Sequence, residues 1–205
     1  MPELAIDSRT IGGAFSVDEN ARRLRHYRYA EARCMEAAAG WAASMPTIKV
    51  KLALGEHQFH DAWHAQWFGE RLTGLREVRQ LDLDAPPMMR ATHVEEPPNE
   101  AFAKFIEELQ DAQDELQRLT GLYRVLKTHL AVYYRHHMLV TDQVCDAPTV
   151  RVLRMVLAEE EEHVRWGQAI YEELADTPEK RRAALEWQLH LEELLGSSGG
   201  VTGGR

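Results

Sequence analysis

Residues 55–72, GEHQFHDAWHAQWFGERL, and residues 157–174, LAEEEEHVRWGQAIYEEL, are the two stretches that decide the fold. Their apolar residues recur at spacings of three and four, which is typical of helices packed on one face. A spacing of three also places two side chains on the same helical face, one turn apart. Each stretch uses that spacing for a carboxylate followed by a histidine: Asp61 and His64 in the first, Glu160 and His163 in the second.

Four stretches of the chain show this helical spacing, and polar residues interrupt the apolar stripe of each. Burying an unpaired carboxylate or imidazolium is costly, so such groups remain inside a protein when they are paired, hydrogen-bonded or bound to a metal. Steps of three and four residues along the stripes select Tyr27 and Glu31 in helix A, His57, Asp61 and His64 in helix B, His129, Tyr133 and His136 in helix C, and Glu160 and His163 in helix D.

Helix boundaries follow from caps, prolines and glycines. Asn99 and Thr177 are predicted N-caps, and Pro178 suits the first position of a helix. The domain organisation is a 1–18 N-terminal extension, a 19–195 helical bundle domain and a 196–205 Gly/Ser-rich tail that we expect to be disordered. The pattern predicts helix A over 18–44, helix B over 47–75, helix C over 99–139 with a bend near Thr120, helix D over 149–176 and helix E over 177–196.

The lengths of the connections predict the topology. Helices A and B, and helices C and D, are joined by short turns, so each pair is expected to form an antiparallel hairpin. Between helices B and C lie about 23 proline-rich residues, which can extend roughly 75 Å and return along a bundle about 42 Å long. Two hairpins joined by one long crossover is the layout of ferritin-like bundles. An up-and-down bundle with short loops is the less favoured alternative.

The position of each candidate along the bundle can be counted from the turns. Glu31 and Asp61 each lie about 15 residues from the turn at Pro46, so they are expected to face each other. Counted from the turn between helices C and D, Glu160 is level with His129. The predicted metal ligands are Glu31, Asp61, His64, His129, Glu160 and His163.

These residues resemble the ligand pattern of the ferritin-like di-iron carboxylate superfamily. Such bundles supply a Glu from each of two helices and a Glu-x-x-His from each of the other two. Glu31 resembles the Glu that a helix supplies alone. The motifs that begin at Asp61 and Glu160 resemble the two Glu-x-x-His motifs, with Asp in place of Glu in the first. The two quoted stretches also resemble bacterial ferritin-like domain proteins of unassigned activity. The resemblance implies an all-α, ferritin-like four-helix bundle with an additional C-terminal helix.

Helix C departs from the family pattern because it carries no carboxylate near the expected site. Its last acidic residue is Glu115, about 21 Å along the helix axis from His129. His129 is therefore expected to replace the missing carboxylate as a nitrogen ligand. The alternative is that a second metal position is weak or empty.

The resemblance implies a non-haem metal oxidoreductase that activates dioxygen to oxidise a small molecule. Iron is the expected cofactor, as one or two ions, and manganese, a mixed iron–manganese pair and zinc are alternatives. Tyr133 and Tyr27 are the candidate catalytic residues, which would hydrogen-bond a bound oxygen species. Competing interpretations are a metal-free accessory or interaction protein, an iron-handling ferroxidase and a haem-oxygenase-like helical oxidase. Glu159, Glu161 and Glu162 are interpreted as a solvated face.

Charge and hydropathy narrow the classes of partner. A net charge of −9 argues against nucleic acid or an anionic membrane as partners, since both need a basic face. The sequence contains no apolar run long enough for a membrane span and no signal peptide pattern. The chain has two cysteines, which do not make a disulfide framework, so we expect a cytoplasmic protein. A homodimer is expected from the frequency of symmetric oligomers.

Overall fold

The computed structural model describes residues 13–75 and 96–204, and every regular element within these ranges is helical. The chain also contains the π-helix Thr120–Lys127, which we call the π segment, and the 3₁₀ turn Gly200–Thr202. The α-helices are α1 (Val17–Ala42), α2 (Ile48–Thr73), α3 (Glu100–Gln110), α4 (Glu115–Leu119), α5 (Thr128–Val140), α6 (Ala147–Leu174) and α7 (Pro178–Ser197).

Side-chain caps begin several of these helices, and two of them were predicted from the sequence. Asn99 Oδ1 accepts a hydrogen bond from the Phe102 N–H at 2.8 Å, at the start of α3. Thr177 Oγ1 accepts one from the Lys180 N–H at 3.2 Å, with Pro178 as the first residue of α7. Each cap satisfies a backbone donor that has no partner within its own helix. Both predicted caps are confirmed.

The predicted single helix C is wrong. The helix is interrupted after α3 ends at Gln110. The Asp114 side chain then caps α4 by accepting a hydrogen bond from the Gln117 N–H at 2.8 Å. The bend expected near Thr120 is instead the start of the π segment. A local polar cap therefore replaces the continuous helix that the periodicity predicted.

The π segment moves the buried face of the following helix by one residue. A π-helix closes its hydrogen bonds from residue i to i+5, so each of its turns holds more residues than an α-helical turn. On α5, Leu130, Tyr134 and His137 are buried. The residues that precede them, which are His129, Tyr133 and His136, are half-buried or exposed.

The long helices form antiparallel pairs. Glu31 meets His64, whereas Arg28, which is earlier in α1, lies beside Gly69, which is later in α2. In the same way Lys127 meets Glu160, whereas Tyr123 packs on Gly167 further along α6. Contacts of Lys49 with Glu173 and of His64 with Glu159 make α2 antiparallel to α6 as well. The residues between the two hairpins, 76–95, which include most of the predicted crossover, lie outside the described ranges.

The C-terminal residues 196–204 are folded against the bundle, which corrects the expectation of a disordered tail. Val201 is fully buried, and its N–H donates to His129 Nε2 at 3.0 Å. Gly199 and Gly203 have φ angles of 75° and 70°, in the left-handed region that glycine adopts without strain. The glycines of the tail therefore form a tight turn. Residues 1–12 of the predicted extension and residue 205 lie outside the described ranges.

No helix within residues 13–75 and 96–204 combines the length and the apolar character that crossing a bilayer requires.

Candidate metal centre

Four side chains from three helices converge at the centre of the bundle. Each offers one ligand atom, and these four atoms lie within 4.8 Å of one another. All four side chains are fully buried. The structure thus brings together four of the six predicted ligands, which we call the acidic cluster: Glu31 from α1, Asp61 and His64 from α2, and Glu160 from α6.

A lysine that the sequence analysis missed lies against this cluster. Lys127, the last residue of the π segment, is fully buried. Its Nζ donates to Asp61 Oδ1 and to Glu160 Oε1, both at 2.6 Å. The steps of three and four residues that selected His129, Tyr133 and His136 passed over Lys127. An equally regular walk through Lys127, Leu130, Tyr134, His137 and Thr141 fits the observed burial and would have found it.

Two carboxylate oxygens of the cluster lack a protein partner. Asp61 Oδ2 and Glu160 Oε2 are buried, and neither has a hydrogen bond among the described residues. Leaving a charged acceptor buried without a partner is strongly unfavourable. These oxygens belong to the same carboxylates that Lys127 contacts through their other oxygen. The donor set therefore fits a cation that these two oxygens would help to bind.

His64 is held in an orientation suited to a metal ligand. Its Nδ1 lies 3.3 Å from Glu31 Oε2 and 3.6 Å from Glu160 Oε1, facing the cluster. Its Nε2 lies 2.8 Å from Glu159 Oε2, on the other side of the ring. Histidine ligands commonly donate their second N–H to a carboxylate in this way. Glu159 was interpreted as part of a solvated face, and the structure corrects this, because its carboxylate partners a buried imidazole.

Tyr134, rather than Tyr133, is the tyrosine of α5 that reaches the cluster. Its hydroxyl donates to Glu31 Oε1 at 2.6 Å, and burial raises its pKa well above the usual value. Tyr27 is buried with its ring centroid 4.8 Å from that of Tyr134. Among the described residues, Tyr134 is thus the tyrosine that hydrogen-bonds a carboxylate of the cluster. Tyr134 reaches the cluster because it lies on the buried face of α5.

His129 and Tyr133 lie outside the acidic cluster. Their rings are 4.4 Å apart between centroids, and they line an open groove between the π segment, α5 and the end of α7. His129 Nε2 accepts the N–H of Val201, and burial lowers the pKa of His129 to about 4. His129 is therefore not a member of the acidic cluster, which corrects its prediction as a ligand, and Tyr133 is not beside the carboxylates.

His163, the sixth predicted ligand, contacts both Lys127 and a carboxylate of the cluster. Its Nδ1 lies 3.3 Å from Lys127 Nζ, and its Nε2 lies 3.1 Å from His60 Nδ1. The same Nδ1 of His163 lies 3.2 Å from Glu160 Oε1. Burial, with the nearby positive charge of Lys127, lowers the pKa of His163 to about 2. Beside it, His57 Nδ1 lies 2.6 Å from the Tyr123 hydroxyl.

The charges of the cluster are strongly coupled. Burial raises the pKa of Asp61 above its usual value, with Lys127 acting in the opposite direction. Burial opposes the charged form of His64, but Glu31 and Glu159 outweigh it and raise the pKa of His64 to about 10. Likewise the carboxylates beside Lys127 raise its pKa well above the usual value in spite of burial. Without a metal ion, the protein therefore balances its buried carboxylates with an imidazolium and an ammonium.

Comparison with known proteins does not supply a function. No family model, no curated protein and no solved structure matches the chain.

Proposed function

We propose that this protein is a non-haem metal oxidoreductase, which uses a redox-active divalent cation and dioxygen to oxidise a small molecule. The observation that carries the proposal is the pair of buried oxygens, Asp61 Oδ2 and Glu160 Oε2, which have no hydrogen bond among the described residues and belong to two of the four convergent side chains. Glu31, Asp61, His64 and Glu160 would hold the ion. Iron is the expected metal, and manganese is the alternative.

The chemistry of the donors supports iron or manganese. Carboxylate oxygens stabilise the higher oxidation state, and one imidazole nitrogen suits first-row transition metals. The hydrogen bond between His64 Nε2 and Glu159 would fix the imidazole with Nδ1 free to bind. Two antiparallel hairpins around a buried centre also support a ferritin-like arrangement of the bundle.

The protein's own residues would prepare the site for oxygen chemistry. The ion would supply electrons to dioxygen when bound. The Tyr134 hydroxyl orients Glu31, and Lys127 places a positive charge beside Asp61 and Glu160. Burial of all these side chains keeps bulk water away from the centre.

The first test is metal binding, followed by oxygen consumption. The protein would be loaded anaerobically with ferrous iron, desalted and analysed for bound metal, beside the double variant Asp61→Asn/Glu160→Gln. We expect the parent to retain iron, the double variant to lose it, and only the loaded parent to consume dioxygen beyond oxidation of its own iron when a reductant is supplied. Glu162→Gln is the matched control, because Glu162 is on the same helix with a side chain 74% exposed.

One observation favours a metal-free accessory protein instead. Lys127 already makes two 2.6 Å hydrogen bonds to the carboxylates that would bind metal. A folded parent that retains no iron or manganese would overturn the oxidoreductase proposal and favour this alternative. Retention of iron without oxygen turnover would leave iron handling as the function.

A further inference from the structure

The acidic cluster contains one cation of its own, and this cation limits how many metal ions the centre can take. We infer that the centre binds one divalent ion per chain, because the Lys127 ammonium fills the position that a second ion would need. The inference rests on the proposed function, since it concerns the same site. A centre of this kind holds one ion, whereas a two-ion centre would hold a pair.

The contacts of Lys127 divide the carboxylate oxygens of Asp61 and Glu160 into two pairs. Asp61 and Glu160 each turn one oxygen to Lys127 Nζ at 2.6 Å and leave the other oxygen without a partner among the described residues. A bridging carboxylate in a two-ion centre uses one oxygen for each ion. Here the ammonium takes the oxygens that one of those two ions would use, and Asp61 Oδ2 and Glu160 Oε2 are the oxygens left for the other.

The chemistry of lysine excludes a second ion while Lys127 is in place. A protonated lysine has three donors and no lone pair, so it cannot bind a metal. It also repels a nearby cation, and this repulsion is strong where water is excluded. Lys127 is fully buried, so its ammonium is held among the carboxylates rather than in solvent.

The balance of charge agrees with one ion. Glu31, Asp61 and Glu160 carry three negative charges when ionised, and Lys127 carries one positive charge. One divalent ion bound with a neutral His64 makes the buried group neutral. A second divalent ion would leave two uncompensated positive charges in the core, which is strongly unfavourable.

The experiment counts bound manganese. The full-length protein, the variants Lys127→Glu and Lys127→Met, and the surface control Lys104→Glu would be titrated with Mn²⁺ and analysed for metal after desalting. Electron paramagnetic resonance would distinguish an isolated Mn²⁺ ion from a coupled pair. We expect one isolated ion in the parent and in the control, whose lysine side chain is 69% exposed.

The two variants at Lys127 should separate charge from ligand supply. Lys127→Glu removes the ammonium and supplies a fourth carboxylate, so we expect two coupled ions. Lys127→Met removes the charge without supplying a ligand, so we expect one ion, bound at least about tenfold more tightly because the repulsion is gone.

Each result decides something. Two ions in the parent would overturn the inference and leave the proposed function intact, whereas no ion would overturn the proposed function itself. A folded Lys127→Glu variant that holds a single ion would also overturn the inference. If that variant does not fold, the Lys127→Met affinity decides, and an affinity equal to that of the parent would overturn it.

Discussion

The hairpin of α1 and α2 and the hairpin built from the π segment, α5 and α6 both bring buried polar groups to the cluster, but they do so differently. In the first hairpin, Glu31, Asp61 and His64 follow regular α-helical spacing. In the second, Lys127 is the last residue of a π-helix, and Tyr134 lies on the α-helix that follows it. The difference teaches that regular spacing identifies the site residues of the first hairpin, whereas in the second it leaves two faces of α5 as alternatives.

The π segment packs closely against α6. The α-carbon of Gly167 on α6 is so close to the π segment that a β-carbon there would lie 2.2 Å from Tyr123 Cβ. A hydrogen bond from Thr128 Oγ1 to the Tyr123 carbonyl, at 2.9 Å, spans the same turn. The first hairpin needs no such device, because its polar residues already lie on the buried stripe. The predictions below test this contrast.

The largest effect is expected when the contribution of the π segment to the cluster is removed. In the presence of a chelator, Lys127→Met should lower the free energy of unfolding by about 3–5 kcal/mol, because Asp61 and Glu160 lose their buried cation. Urea denaturation measures the change. Lys104→Met, at a surface lysine paired with Glu100, should stay within about 0.5 kcal/mol of the parent. Equal stabilities for the two variants would contradict the role of Lys127.

The next effect concerns the glycine that admits the π segment. Gly167→Ala should destabilise the protein by about 2–3 kcal/mol, because the new methyl group overlaps Tyr123. Gly55→Ala on α2 is the matched control, since its β-carbon would meet nothing within 4 Å. That control should be neutral or stabilising by up to about 1 kcal/mol. Thermal and urea unfolding of both variants measure the difference, and a tolerated Gly167→Ala would show that close packing does not hold the turn.

A smaller effect should distinguish the two registers of α5. Tyr134→Phe removes the donor to Glu31 Oε1, so we expect a loss of about 2 kcal/mol in metal-free protein. Tyr133→Phe, in the neighbouring position that the regular spacing selected, should lie within about 0.5 kcal/mol of the parent. The comparison uses urea unfolding of both variants. Effects of the opposite order would place the α-helical register, not the shifted one, at the cluster.

The smallest effect is a pH dependence at His137, which the register shift also buries. Burial, aided by Arg23, lowers the pKa of His137 to about 4 from the usual 6.5. The unfolded chain therefore takes up a proton before the folded one does, so the stability due to the neutral imidazole is present above pH 6.5 and is lost as the pH falls towards 4.

This contribution is measurable as a difference between variants. We expect His137 to account for a loss of about 1–2 kcal/mol between roughly pH 7.5 and pH 5. His137→Gln should remove that part of the pH dependence, and His136→Gln, at the exposed neighbour, should retain it. Urea unfolding at the two pH values measures both, and parallel profiles for the parent and His137→Gln would refute the assignment.

Much of the candidate centre could be predicted where the helices are regular. Glu31 and Asp61 were expected to face each other, and their placement in the cluster agrees with counting from the turn at Pro46. Lys127, Tyr134 and Glu159 could not be found in this way. The first two lie on the alternative, equally regular face of helix C, and Glu159 lies off its helix stripe but reaches His64 on the adjacent helix.

The tail shows the same limit for a different reason. Its composition, rich in glycine and serine, is typical of flexible segments. Val201 and Thr202 are nevertheless buried, and Arg22 donates to the Thr202 carbonyl at 2.7 Å. Composition describes the freedom of an isolated chain, whereas the surface of the bundle offers partners that composition does not contain.

The sequence by itself determined the helical class, the antiparallel pairing expected of short turns and the placement of carboxylates on α1, α2 and α6. These follow from local periodicity, because each α-helical turn repeats the same angle between successive side chains. Only the tertiary structure decided which face of α5 is buried and that Lys127 neutralises the cluster. Two registers of that helix are equally regular along the chain, and the choice between them depends on packing and charge contributed by the other helices.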